Sequence, residues 1–325
     1  MTTLTKPHSI AIFAYPGVQM SAVLGLADLF SIANRYTLKH GEATLYITEI
    51  NKETLATTPS TFDAVILPPN LTGSRGENET SVHQWLQARH SEGTVICSVC
   101  AGAFWLGHSG LLKGRPATTH WLLGDVFRTT FPETELHCEH LLIDDNDIVT
   151  AGGLMAWLDL GLYVVNRWLG PHVVSKVARH LLIDPSGREQ RNYRSFQPPL
   201  NHGDDIILKL QHWLEANSKM TITISSLAAQ SCLSQRTFLR RFKAATGYTP
   251  NSYLQNLRME KARGLLERMR IPISEIGWRV GYQDPSAFSR IFKTTTGLSA
   301  GEYRNRFGVY TRNMDHTQVA PSQST

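Results

Sequence analysis

Pro272–Gly297, PISEIGWRVGYQDPSAFSRIFKTTTG, decides how the C-terminal third of the chain is read. Ile273, Ile276 and Val280 recur at helical spacing, and Gly281-Tyr282-Gln283-Asp284-Pro285 then combines a turn with a helix start. Asp284 is a good N-cap, and Pro285 suits the first helical position, where a missing N–H costs nothing. Beyond it, Phe288 and Phe292 fall on one face of a second helix, and Ser286, Ser289 and Arg290 fall on the other. A helix held by a short turn, with polar and guanidinium groups pointing outward, has the form of a DNA recognition helix.

The same pattern occurs upstream. Phe238, Arg240, Phe242, Lys243, Thr246, Gly247 and Tyr253 repeat as Phe288, Arg290, Phe292, Lys293, Thr296, Gly297 and Tyr303 at a constant offset of 50. Two aromatic core positions, an outward Arg and a Gly stop recurring together indicate an internal duplication. Between the copies, Leu254, Leu257, Ala262, Leu265, Leu266 and Met269 follow Pro250 at helical spacing, which predicts a long connecting helix.

Charge follows the same division. Residues 1–200 hold 15 Lys and Arg against 18 Asp and Glu, a net of −3. Residues 201–310 hold 16 against 8, a net of +8. Basic charge confined to the duplicated region is what phosphate neutralisation requires. The length of 325 residues predicts about two domains. Four cysteines, Cys97, Cys100, Cys138 and Cys232, make no disulfide framework in a chain of this size. The start MTTLTKPHSI lacks the features of a signal peptide, and the apolar stretch 152–170 is interrupted by Asp159, Asn166 and Arg167. A cytoplasmic protein without a membrane partner is expected.

In the first two thirds, apolar runs at Ser9–Tyr15, Leu45–Ile50, Phe62–Leu67, Thr94–Cys97 and Asp147–Thr150 alternate with helical patterns at Val23–Ala33, Ser81–His90 and Leu154–Leu169. Such alternation predicts an α/β domain with a mostly parallel sheet, a flavodoxin-like sandwich covered on both faces. The C-terminal part is expected to be all-α, with two helix-turn-helix units. The expected boundaries are 8–185 for the first domain, 186–203 for a polar linker, 204–310 for the second domain and 311–325 for a disordered tail.

Residues 204–307 resemble the AraC/XylS family of transcriptional regulators. The second unit carries the specific signature, Glu275-Ile276, Val280-Gly281-Tyr282, Asp284-Pro285-Ser286, Phe288-Ser289-Arg290 and Phe292-Lys293. Ala300 departs from the family, which usually has Pro before the last helix. Residues 8–185 resemble the class I glutamine-amidotransferase-like superfamily in its PfpI-type branch, through the strand–Cys100–helix junction Ser98-Val99-Cys100-Ala101-Gly102-Ala103. The pairing of the two is similar to the GlxA-like regulators. The resemblance implies a regulator, often an activator, that answers to a small nitrogen compound such as an amino acid.

A thiol hydrolase needs a thiolate, a base and a group that orients the base. Cys100 matches the nucleophile position and His120 the place of a partner imidazole. Ala101, however, follows the cysteine where the protease branch has His, and Tyr15–Ala27 holds no carboxylate. A vestigial nucleophile and a sensing pocket are therefore expected, lined by Pro16, Gly17, Cys100, Ala101, His120 and Trp121. The competing reading is an active cysteine hydrolase or glyoxalase-like enzyme fused to a DNA-binding domain. Cys97-x-x-Cys100 has no second pair for a metal, and His137, Cys138, Glu139 and His140 read as an edge strand with alternating faces. No metal or cofactor is implied.

The implied partners are double-stranded DNA through its major groove, a small-molecule effector, a second copy through the N-terminal domain, and RNA polymerase. Arg236, Leu239 and Arg240 of the first unit and Ser286, Ser289 and Arg290 of the second are expected to face bases, with Lys243 and Lys293 on phosphates. The connecting helix would set the two readers about 34 Å apart, one turn of DNA. Arg240→Ala is expected to weaken operator binding and relax preference at one base pair, by about 1–3 kcal/mol of discrimination. Binding measured across single-base operator variants checks this, because equal loss on all sequences would mark Arg240 as a phosphate contact.

Overall fold

Short β-branched runs become the parallel strands expected of them in this computed structural model, which describes residues 7–37, 43–58, 61–72, 76–185 and 188–309. The tail 311–325 lies outside the described residues. The chain divides into two units, Met1–Arg191 and Asn192–Thr325.

In the first unit, β1 (His8–Phe13), β2 (Leu45–Ile50), β3 (Ala64–Leu67), β4 (Val95–Val99), β7 (Leu142–Asp145) and β8 (Ile148–Ala151) form one sheet in the order β2-β1-β3-β4-β8-β7. All neighbours are parallel except β7 and β8. β3 and β4 are buried along their whole length. This explains why they read as continuous apolar runs rather than as alternations. Helices α1 (Met20–Thr37), α5 (Trp157–Leu169) and α6 (Pro171–Leu181) cover one face around Leu26, Phe30, Leu160 and Val165. The other face packs on α2 (Thr80–Ser91), α3 (Ala103–His108) and α4 (Gly124–Thr130) around Phe13, Leu86, Phe104 and Phe127.

Two parts of this unit differ from the sequence reading. β7 joins β8 in a hairpin turned by Asn146, whose left-handed φ of 65° Asn tolerates. His137–His140 is a turn rather than an edge strand. It follows the two-residue strand β6 (Glu135–Leu136), which pairs with β5 (Pro116–Ala117). Cys138 is buried there, while Glu139 sits between His137 and His140 at 3.2 and 3.9 Å.

In the second unit, α7 (Asp205–Asn217), α8 (Ile224–Gln230) and α9 (Gln235–Thr246) build the first helix-turn-helix core around Leu210, Leu214, Phe238 and Phe242. The long α10 (Pro250–Arg268) leads to α11 (Ile273–Arg279), α12 (Pro285–Thr296) and α13 (Ala300–Phe307), whose core holds Ile276, Phe288 and Phe292. The two copies match in detail. Phe238, Phe242, Phe288 and Phe292 are fully buried, and Gly247 and Gly297 end α9 and α12 with φ of 78° and 79°. The Thr246 and Thr296 hydroxyls each donate to the carbonyl four residues back, at 2.7 and 2.8 Å. At Ala300 a capping box between Ser299 and Glu302 starts α13, so the helix does not depend on proline there.

The expected linker is not a free spacer throughout. Gln190 is buried in the first unit, and Phe196 packs on the first helix-turn-helix core.

Each helix-turn-helix turn holds one residue in the left-handed region, Cys232 (φ 53°) in the first and Gly281 (φ 96°) in the second. Cys232 is exposed and carries a side chain where glycine is favoured, so Cys232→Gly should stabilise the unit by about 0.5–1 kcal/mol. At Gly281 a Cβ would meet the Lys219 carbonyl oxygen at 2.6 Å, so Gly281→Ala should cost about 2–3 kcal/mol. Urea unfolding of both variants checks the opposite signs.

Candidate functional site

The two candidate recognition helices are built alike. Ser234 caps α9 by accepting from the Thr237 amide, and Asp284 caps α12 by accepting from Ser286 and Ala287. Burial of Phe238 and Phe242 then fixes the opposite face of α9 outward, where Arg236, Leu239, Arg240 and Lys243 are all exposed. On α12 the same logic exposes Ser286, Ser289, Arg290 and Lys293. The faces differ in chemistry. α9 offers two guanidinium groups and one Leu. α12 offers one guanidinium, and its Ser289 hydroxyl already donates to the Pro285 carbonyl at 2.9 Å.

A second candidate site lies at the C-terminal ends of the parallel strands. The strand order reverses beside β1, with β2 on one side and β3 and β4 on the other, and such a switch point opens a crevice in α/β sheets. Pro16 and Gly17 follow β1 there. The loops that follow β1 and β3 are joined there by backbone contacts, Gln19 N–H to the Pro69 carbonyl at 2.8 Å and Leu71 N–H to the Gly17 carbonyl at 2.8 Å. Cys100 follows β4 at a left-handed φ of 55°, opening the tight turn Cys100–Gly102 that leads into α3. This is the strained strand-to-helix geometry of a nucleophile elbow. Only glycine fits at position 102, because a Cβ would sit 2.3 Å from the Leu67 carbonyl oxygen.

The elbow is present without activation. Burial pushes the Cys100 thiol up to about 11, against a weaker opposing effect of the Ala101 amide. His120 is held below its ordinary value by burial alone. Its Nδ1 accepts from the Leu122 amide at 3.1 Å, and among the described residues it makes no hydrogen bond to the thiol. Neutral thiol and neutral imidazole are the opposite of the ion pair that a cysteine nucleophile uses. Cys97 is fully buried in the core, and burial pushes its thiol up to about 12.

Of the expected pocket residues, Cys100 and Ala101 are buried, His120 and Trp121 half-buried, and Pro16 exposed. Thr119 joins two of the loops, its hydroxyl donating to the Cys100 carbonyl at 2.7 Å. Two further residues belong to this region and escaped the sequence reading. Buried Gln190 accepts from the Trp121 amide at 3.0 Å and donates to the Thr119 carbonyl at 2.8 Å. Buried Gln19 donates to the Ser21 hydroxyl at 2.9 Å, while its Oε1 has no protein partner among the described residues. Gln19 lies in the carboxylate-free segment Tyr15–Ala27 after the first strand, and an amide there supplies neither a charge nor a base.

Known proteins divide the chain in the same way. Residues 25–167 match the DJ-1/PfpI family and residues 227–306 match a helix-turn-helix domain family. The HTH-type transcriptional regulator ArgR of Pseudomonas aeruginosa is 31% identical over 217 residues, covering 66% of this chain and 65% of that protein. CdhR of the same organism is 26% identical over 223 residues, covering 68% and 66%. GlxA of Rhizobium meliloti is 26% identical over 230 residues, covering 70% of each. The chain thus matches about two thirds of the length of CdhR and ArgR. It is a two-part chain, a DJ-1/PfpI-type domain followed by an AraC-type helix-turn-helix domain. Each part is similar to its own family, and the relatives named above are HTH-type transcriptional regulators.

The raised Cys100 thiol predicts a reactivity order. Iodoacetamide at pH 7 should label exposed Cys232 at least about tenfold faster than buried Cys100, and Cys100 labelling should rise steeply only as pH climbs towards 11. Mass spectrometry of time-resolved labelling checks it.

Proposed function

We propose that the chain is a sequence-specific DNA-binding transcriptional regulator whose N-terminal domain senses a small metabolite without catalysing a reaction. The observation that carries the reading is the duplicated core, which turns the guanidinium-rich face of α9 and the matching face of α12 outward within the basic unit. Arg236 and Arg240 suit guanine edges, Leu239 suits a thymine methyl, and Arg290 with Ser286 reads the second groove. Lys243 and Lys293 suit phosphates, where they set register rather than sequence. The naming of CdhR, ArgR and GlxA as HTH-type transcriptional regulators supports the same conclusion.

The sensing role rests on the crevice at the strand ends, where Pro16, Gly17, Cys100, Ala101, His120 and Trp121 would contact the effector. Gln19, with its unpartnered buried oxygen, favours a ligand that donates a hydrogen bond, such as the ammonium of an amino acid or another nitrogen compound. The unactivated thiol argues for binding over turnover. A homodimer formed through the N-terminal domain and contact with RNA polymerase as an activator complete the reading.

Two measurements test it. A thermal-shift screen of nitrogenous metabolites should find at least one that raises the melting temperature of the wild-type chain, with the shift reduced in Gln19→Leu, since only ligands bound by the native state stabilise it. Turnover of amides or aldehydes that vanishes in Cys100→Ser while DNA binding persists would favour the enzyme instead.

A further inference from the structure

The chain enters the second unit at Asn192, and its first dozen residues hold both helix-turn-helix copies. The Tyr193 ring stacks edge-on against Phe307 of α13 at 5.2 Å, and its hydroxyl accepts from Arg306 at 3.1 Å. Buried Arg263 of α10 donates to the Arg194 carbonyl. Phe196 then crosses to the first copy, where its ring meets Tyr253 at 5.1 Å and its amide donates to Glu260 of α10 at 3.0 Å. Further on, Gln211 of α7 donates to the Pro199 carbonyl at 3.1 Å.

The run ends at Asp204, which does two things at once. One carboxylate oxygen caps α7 through the Ile207 amide at 3.1 Å. The two oxygens together take a forked pair from Arg241, Nε to Oδ2 at 2.9 Å and Nη2 to Oδ1 at 2.7 Å. Arg241 lies on α9 beside Arg240. The duplicated position on α12 is Ile291, so the second recognition helix has no such clamp.

We propose that residues 193–204 are a strap that sets the pose of the first recognition helix, with Asp204 and Arg241 as positioning residues for base reading by Arg236 and Arg240. A bidentate pair fixes both the rotation and the lean of the helix it holds, which a single hydrogen bond does not. Phe238 and Phe242 set which face of α9 points outward, and the ion pair adds a second, polar hold on the same helix beside Arg240. Because the strap touches α13 and α10 before reaching α9, it also ties that pose to the second copy.

The proposal rests on the DNA-reading function above, and one experiment separates the two. The full-length wild-type chain selects duplexes from a randomised library, and the half-site read by α9 is identified as the one whose preference Arg240→Ala relaxes. Asp204→Asn keeps the cap, since Asn caps as well as Asp, and removes the ion pair. It should lower discrimination at that half-site by about fivefold while leaving preference at the other half-site and the melting temperature unchanged. Arg241→Lys, which keeps the charge and loses the fork, should give the same selective loss. Equal loss at both half-sites, or no loss at either, would overturn the strap. Failure of the wild-type chain to enrich any sequence would overturn the DNA reading on which it stands.

Discussion

The second unit depends on one helix serving two cores. α10 spans 19 residues, about 28 Å at the α-helical rise. Its first half puts Tyr253, Leu254 and Leu257 into the first helix-turn-helix core, and its second half puts Met259, Ala262 and Leu266 into the other. Close-packed interiors do not slide, so each core grips its end of the helix and the two recognition helices are carried on one rigid bar. Side contacts reinforce the bar. Arg258 donates to the Ser218 and Met220 carbonyls at 2.7 and 2.8 Å and stacks on Tyr282 in the turn of the second copy. The close approach of Gly281 to the Lys219 backbone joins the copies again.

The repeated features were legible because each has a local cause. Paired phenylalanines four apart, a capping residue before each helix and a glycine after it act within one or two turns, and their recurrence at one offset identified both units. The parallel strands were legible for the same reason, as apolar runs closed by turn residues. α6 was missed although Val173, Val177 and Ala178 carry a helical stripe, because polar residues dominate the rest of the segment. Gln190 was not legible at all. Its side-chain partners lie between 50 and 72 residues away, and nothing local marks a polar residue in a polar stretch as buried. The strap was hidden likewise, since Phe196 and Asp204 acquire meaning only from Glu260 and Arg241.

The first unit separates geometry from reactivity. An elbow with a left-handed cysteine needs only a crossing helix, a glycine at position 102 and a carbonyl to pack against, and all of these are present. Reactivity needs charge, and here the surroundings withhold it. Among the described residues no cationic group offsets the burial of Cys100, so the thiol stays protonated at neutral pH. The same strained turn that would present a nucleophile here holds a buried, neutral thiol.

The rigid bar of α10 makes the sharpest claim, since two readers of fixed spacing demand two half-sites of fixed spacing. The direct measurement is affinity for a selected operator against the same operator with about five base pairs inserted between its half-sites, half a turn of DNA. Affinity should fall to that of a single half-site, because the insertion carries the second groove to the far side of the duplex. Retention of full affinity would mean that the two helix-turn-helix units move independently, and would contradict the account.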